Sequence, residues 1–272
     1  MAATFFVVPQ WQGSGSSRAM RLIDGAEAIR GDLPAASTVL VEVPAGAGSD
    51  EGTRVQRLSS VIAVRDALDQ ALGAHLGLPI VIGGDCGVDL APVSRASAAG
   101  PVALLWLDAH PDLHSPQSSP SSAFHGMVVR TLLGDGPAAL LPAAPLHPDR
   151  VLLAGTRALD EAEQDYVDAQ GIRLIAPSEL DPAAITEAVA ATGADAVYIH
   201  VDLDVLDPAE IDGIGFPEPF GLTLAQLLEV IAAAKLALPL AGAAVTEFAP
   251  SSPEAAPDDL GTILRIIGAL TA

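Results

Sequence analysis

The chain has 272 residues, half of them hydrophobic and 17% charged, a globular composition long enough for one large α/β domain, which we expect to span residues 1–272. Thirteen Lys and Arg against 34 Asp and Glu give a net charge of −21, which argues against nucleic-acid or anionic-membrane partners, since both need basic patches. A single cysteine, Cys86, excludes an internal disulfide framework and points to a reducing, cytoplasmic compartment.

In chain order, the N-terminus lacks a basic leader or a span-length apolar stretch and reads as a first strand over Thr4–Val8. A Gly/Ser loop follows, then a helix over Arg18–Arg30, a strand over Ser37–Val43 and a long amphipathic helix over Val55–Leu76. Leu78–Ile82 is a strand ending in Gly83-Gly-Asp-Cys-Gly87, and Val88–Ala98 is helical. The apolar run Val102–Leu107 is a fully buried strand, and a short helix begins near His125. Beyond it come strands at Val151–Ala154, Arg173–Ile175, Ala196–Val201 and Leu240–Thr246. Helices at Leu159–Gln170, Pro182–Ala191, Thr223–Leu236 and Asp258–Leu270 alternate with them, the last with Asp258 or Asp259 near its N-cap. Strands alternating with helices predict a three-layer α/β/α sandwich around a mostly parallel sheet of about eight strands.

In such sheets ligands bind beyond the carboxyl ends of the strands, and the polar clusters of this sequence fall there. They are Asp85-Cys86, Asp108-Ala-His-Pro-Asp-Leu-His114, Asp202-Leu-Asp-Val-Leu-Asp207 and Glu247. In extended chain, residues two apart share a face, so Asp108, His110 and Asp112 are expected to converge, as are Asp202 and Asp204. Mixed oxygen and nitrogen donors suit borderline divalent ions, and burying so many charges without a cation would be costly. His200 is expected to point away from Asp202, as a satisfied core histidine or one that supports the ligands from behind, and not as a ligand. The Ser/Pro-rich loop from Ser115 to Ser122 either lines a substrate pocket or is ordinary surface.

These motifs, together with His125-Gly-Met and Thr246-Glu-Phe-Ala-Pro250, resemble the ureohydrolases, the arginase, agmatinase and formiminoglutamase family, over nearly the whole chain. The resemblance implies a binuclear manganese centre and hydrolysis of a guanidino or amidino C–N bond of a small molecule by metal-bound hydroxide. It also implies a homo-oligomer, trimeric or hexameric. By position, Asp108, His110, Asp112, Asp202 and Asp204 correspond to metal ligands, His125 to the proton shuttle and Glu247 to the carboxylate that orients the guanidinium. Asp112 is counted with His125 and Glu247 in the catalytic set. The loop is closer to arginases than to agmatinases: Ser121 matches a serine that holds the substrate carboxylate, Asp160 an acid that binds its amine, and His114 replaces an asparagine at the same end.

Other positions depart from the family. Cys86 stands where a ligand histidine is expected, Ser122-Ala123 replaces Gly-Asn, Phe216 replaces a small polar residue and Ala249 an asparagine. Three readings of Cys86 remain open: a metal ligand that favours Zn, Ni, Fe or Co over Mn, a packed inert thiol, and a nucleophile on an elbow-like turn. Val88 argues against the elbow, which wants a small residue there. The alternative to an active hydrolase is an arginase-like pseudoenzyme with a partial metal site, acting as a regulatory or structural subunit.

Overall fold

A computed structural model of the chain describes residues 2–272. Eight strands form one sheet in the order β2-β1-β3-β8-β7-β4-β5-β6, and every pairing is parallel. The strands are β1 (Ala3–Val8), β2 (Thr38–Leu40), β3 (Leu78–Gly83), β4 (Val102–Leu107), β5 (Val151–Ala154), β6 (Arg173–Ile175), β7 (Ala196–Asp202) and β8 (Leu240–Thr246). β4 and β5 are buried along their entire length, as their unbroken apolar sequences require of strands covered on both faces.

Helices α1 (Arg21–Asp32), α6 (Pro182–Ala191), α7 (Leu224–Ala237) and α8 (Ala256–Thr271) share one core with one face of the sheet. On the other face, α3 (Leu90–Ala99), α4 (Val128–Leu132) and α5 (Glu161–Gln170) pack around Trp106 and Tyr198, and α2 (Leu58–Ala74) covers the β1–β3 region. The fold is therefore the expected three-layer sandwich. No helix among the described residues is long and apolar enough to cross a membrane.

Local differences from the sequence reading have local causes. The helix expected from Val88 opens with a 3-10 turn at Cys86–Asp89, and His125 sits in another at Phe124–Met127. The last helix begins at Ala256, inside which Asp258 and Asp259 occupy the first turn instead of the cap. Asp259 is drawn away to accept the backbone N–H groups of Asp212 and Gly213 at 3.1 and 2.8 Å.

Strand order decides which polar residues become neighbours. The central four strands are β3, β8, β7 and β4, and their carboxyl ends deliver Cys86, Glu247, Asp202 and Asp108 side by side.

Candidate metal centre

Each of the four strand exits is shaped by a local device. After β3, the chain passes so close to the β1 exit that a Cβ at Gly84 would lie 1.6 Å from the Gln10 carbonyl oxygen. Only glycine fits there. Asp85, fully buried, then accepts from the Gly87 and Gly13 N–H groups and from Gln10 Nε2, which fixes the turn carrying Cys86. After β8, Glu247 adopts φ 65° and donates its N–H to the Gly84 carbonyl at 2.8 Å. A buried glutamate in the left-handed region is strained by an amount on the order of 1 kcal/mol, and such strain is commonly retained at binding sites. At the end of β7, Asp202 accepts the Asp204 N–H at 2.8 Å. The capping role that a bare turn would need and the inward carboxylate thus coexist.

Three sets of metal-capable atoms result, each confined within 4.8 Å; one of them, His114, Asp160 and Glu163, lies apart from the strand ends, and the other two meet there. Of these two, the first comprises Cys86, Asp108, His200 and Asp202, all buried; the second comprises Asp108, His110 and Asp204. Asp108 belongs to both, as a bridging carboxylate would. It is held from two sides, Oδ1 accepting from the His110 N–H at 2.6 Å and Oδ2 from Trp106 Nε1 at 2.9 Å. Asp204 Oδ1 accepts from the Ala109 N–H at 3.0 Å while Oδ2 lies 2.9 Å from His110 Nδ1. Cys86 Sγ is 3.1 Å from Asp202 Oδ2 and 3.7 Å from Glu247 Oε1.

The electrostatics ask for positive charge. Burial, reinforced by neighbouring carboxylates, pushes Asp112 and Asp202 well above the ordinary range and Asp204 up to about 6. Burial and the carboxylates beside it also push the Cys86 thiol up, so the elbow reading finds no activated thiolate here. Burial opposes charge on His110, but Asp108 and Asp204 outweigh it and raise the imidazole to about 12. His125 behaves alike: burial disfavours its charge, and Glu247, 3.5 Å from Nδ1, outweighs burial and raises its pKa. Buried oxygen, nitrogen and sulfur donors in two overlapping sets fit a pair of divalent cations. Two unpartnered buried atoms beside them, Asp112 Oδ2 and His200 Nε2, add to the fit.

A cavity of about 210 Å³ opens over these groups. It is lined by the carboxylates of Asp112, Glu163, Asp202, Asp204 and Glu247, by His110, His114 and His125, and by Cys86, with no Lys or Arg on its wall. Pro120 and Ser121 also line it, so the Ser/Pro-rich loop forms part of the pocket. Phe216 stands at the mouth, its ring 5.3 Å from that of His125 and 6.4 Å from that of His110. At the far side His114 Nε2 lies 3.3 Å from Asp160 and 3.7 Å from Glu163. Asp160 is also the N-cap of α5, in a reciprocal capping box with Glu163.

The structure brings the sequence-selected residues together and corrects two placements. Asp112 follows a bend and has φ 52°, so the extended alternation that would align it with Asp108 and His110 ends before it, and it falls in neither donor set. His200 lies on the same face of β7 as Asp202, because residues two apart on a strand share a face; it does not point away. Sequence reasoning passed over Asp89, Tyr198 and Glu163. Asp89 accepts from Tyr198 Oη at 2.6 Å and pairs with His200 Nδ1. Glu163, pushed up to about 7 by burial, accepts the Leu113 N–H at 3.3 Å. The capping-box spacing Asp160–Glu163 was the one available signal.

Comparison with known proteins agrees with this geometry. Residues 30–261 match the model of the arginase family. An arginase of Staphylococcus aureus strain MRSA252 is 32% identical over 186 residues, 64% of this chain, and the chain spans 62% of that enzyme's length. The N(omega)-hydroxy-L-arginine amidinohydrolase of Streptomyces lavendulae is 28% identical over 262 residues, covering 94% of this chain and 90% of that protein. Among solved structures, an Entamoeba histolytica arginase in complex with L-ornithine superposes with TM-score 0.88 at 23% identity, over 100% of this chain and 98% of that one. The family match over most of the chain, the fold and the ordered polar motifs converge: the chain belongs to the arginase family.

Proposed function

We propose that this protein is a metal-dependent hydrolase of a guanidino or amidino C–N bond in a small cationic molecule. The observation that carries the reading is Asp108, one buried carboxylate common to two donor sets whose members Cys86, His110, Asp202 and Asp204 line an acidic cavity. Asp108, His110 and Asp204 would hold one divalent ion, and Asp108, Asp202 and Cys86 the other, with Asp112 Oδ2 a further oxygen donor at the edge. Ions bound there supply Lewis acidity, which acidifies water and stabilises developing negative charge.

The chain's own groups do the rest. Glu247 accepts the two parallel N–H bonds of a planar guanidinium, a fork that matches a carboxylate. Its carboxylate also holds the His125 ring, so the imidazole that moves a proton to the leaving nitrogen is positioned by the group that orients the substrate. Ser121 and His114 on the wall, with Asp160 behind His114, would receive the substrate's far end, and Phe216 would limit water at the mouth. Five carboxyl groups and no Lys or Arg on the wall favour a positively charged substrate over an anion. The likeness to an amidinohydrolase and to arginases supports the same substrate class. On the same likeness we assign one domain over residues 1–272, a homo-oligomeric assembly and a cytoplasmic location.

Cys86 favours a second reading, a subunit without turnover, because the thiol is bonded to Asp202 where a neutral imidazole would serve a metal better. One experiment separates the two. Protein loaded in turn with Mn, Zn, Ni, Co or Fe is offered L-arginine, N-hydroxy-L-arginine, decarboxylated arginine and guanidino acids, and urea or amide release is followed. Turnover with any member, falling by about 10²–10⁴-fold in His125→Ala, is the expected result. Two bound ions with no turnover across the panel would leave the non-catalytic subunit.

A further inference from the structure

The imidazole missing at position 86 has a counterpart on another strand. His200 is completely buried on β7, two residues before Asp202 and on its face. Its register partners are Trp106 on β4 and Ala244 on β8. The Trp106 indole stacks on it with centroids 3.4 Å apart and planes 6° from parallel, and the small Ala244 leaves room on the other side. The ring is thus fixed in plane and position.

Its two nitrogens have opposite surroundings. Nδ1 pairs with the Asp89 carboxylate, which also accepts from Tyr198 Oη, and Asp89 is itself fully buried. In the neutral ring, a carboxylate at Nδ1 favours the proton on that nitrogen and leaves the Nε2 lone pair for a ligand. Nε2 has no hydrogen-bond partner; the nearest carboxylate oxygen, Asp108 Oδ2, is 3.7 Å away. That atom faces Cys86 Sγ and the carboxylates of Asp108 and Asp202, all four donors lying within 4.8 Å of one another. Carboxylate, imidazole and a nitrogen facing a cluster of oxygen and sulfur donors is the usual arrangement around a metal-ligating histidine.

We propose that His200 Nε2 is the nitrogen ligand of the deeper ion site, with Cys86, Asp108 and Asp202, so that the histidine displaced by Cys86 is restored from β7. Asp89, with Tyr198 behind it, is the positioning residue that orients the ring. One nitrogen, one sulfur and two carboxylates make a site for a borderline divalent ion such as Zn, Co or Ni, and a poorer one for Mn. The proposal rests on the metal-centre reading and adds a ligand that the expected set lacks.

The test is site-resolved and uses the whole protein loaded with cadmium-113. Proton–cadmium correlation spectra of the unaltered chain are expected to show one cadmium resonance coupled both to cysteine β-protons and to imidazole ring protons. The imidazole coupling should vanish in His200→Gln and persist in His110→Gln. Zinc competition should show the sulfur-bearing site weakened by at least about 10-fold in His200→Gln, the scale of losing a metal-orienting or ligating group. A cysteine-coupled cadmium without imidazole coupling in the unaltered chain overturns the proposal and leaves the metal centre standing, whether or not His200→Gln folds. An unaltered chain that binds neither cadmium, zinc nor manganese overturns the metal centre itself.

Discussion

The two donor sets share Asp108 yet are built differently. The set with His110 and Asp204 sits at the mouth, where the His110 side chain is 32% exposed and its ring meets Phe216. Its residues come from the turns that follow β4 and β7, and backbone N–H groups hold both carboxylates. The set with Cys86, His200 and Asp202 lies beneath, fully buried, and three aromatic or acidic side chains from the sheet and its flanking turn, Trp106, Tyr198 and Asp89, brace it. One site is tuned by loops and the other by the core. Changes at the mouth should therefore alter affinity and pH response with little loss of stability, whereas changes below should couple metal binding to folding.

Asp108→Ala should break both halves at once. It removes the shared carboxylate and strands Trp106 Nε1 and the His110 N–H. The expected outcome is no ion at either set, turnover reduced by more than about 10³-fold, and a metal-free melting transition lowered by the equivalent of about 1–3 kcal/mol, read by elemental analysis and calorimetry.

Asp89→Asn tests the lower half alone. The amide cannot hold the His200 Nδ1 proton as a carboxylate does, so zinc affinity of the sulfur-bearing site should fall by about 10–100-fold while the other ion stays bound. Equal weakening of both would show that the halves are not separable.

Cys86→His sharpens the contrast by changing the lower half's chemistry. Preference should move from Zn or Co towards Mn by roughly an order of magnitude, measured by competition between the two ions, since thiolate selects the softer metal. An unchanged preference would mean that the thiol does not ligate.

The smallest effect belongs to the far side of the cavity. Burial raises Glu163 from 4.5 to about 7, so between those values the folded chain binds more protons than the unfolded one. Stability of the metal-free protein should accordingly fall as pH rises through that window. Glu163→Gln should flatten the slope, by an amount on the order of 1–2 kcal/mol after allowance for partial exposure to solvent. A steeper slope in the variant would reverse the assignment.

Much of the site is legible in the sequence because the informative residues follow strands. Val102–Leu107 and Val151–Ala154 are unbroken apolar runs whose bounds agree with the folded strands, and the polar clusters begin where those runs end. Cys86, Asp108, His110, Asp202, Asp204 and Glu247 could be selected on that ground, and His125 through the family resemblance; all meet at the cavity or beneath it. What escaped depends on contacts far apart in sequence. Asp89 meets His200 across 111 residues and Tyr198 across 109, and nothing local marks an aspartate in a 3-10 turn as their partner. Asp112 escaped for the opposite reason, since one left-handed residue undoes an alternation that its neighbours obey. His200 carried a readable signal, its even spacing from Asp202, which was assigned to the wrong face.

The position of β8 has a consequence for how the molecule comes into being. It is the last strand in the chain, yet it lies between β3 and β7 in the sheet. Until it inserts, β3 and β7 have no common neighbour, and Cys86 and Asp202, 116 residues apart, have nothing to hold them 3.1 Å from each other. Contacts of such sequence separation form late and slowly. A nascent chain that ends before Leu240 carries most of the donors but no pocket. The site closes with the final strand, and ion uptake during synthesis would report the moment at which the sheet becomes complete.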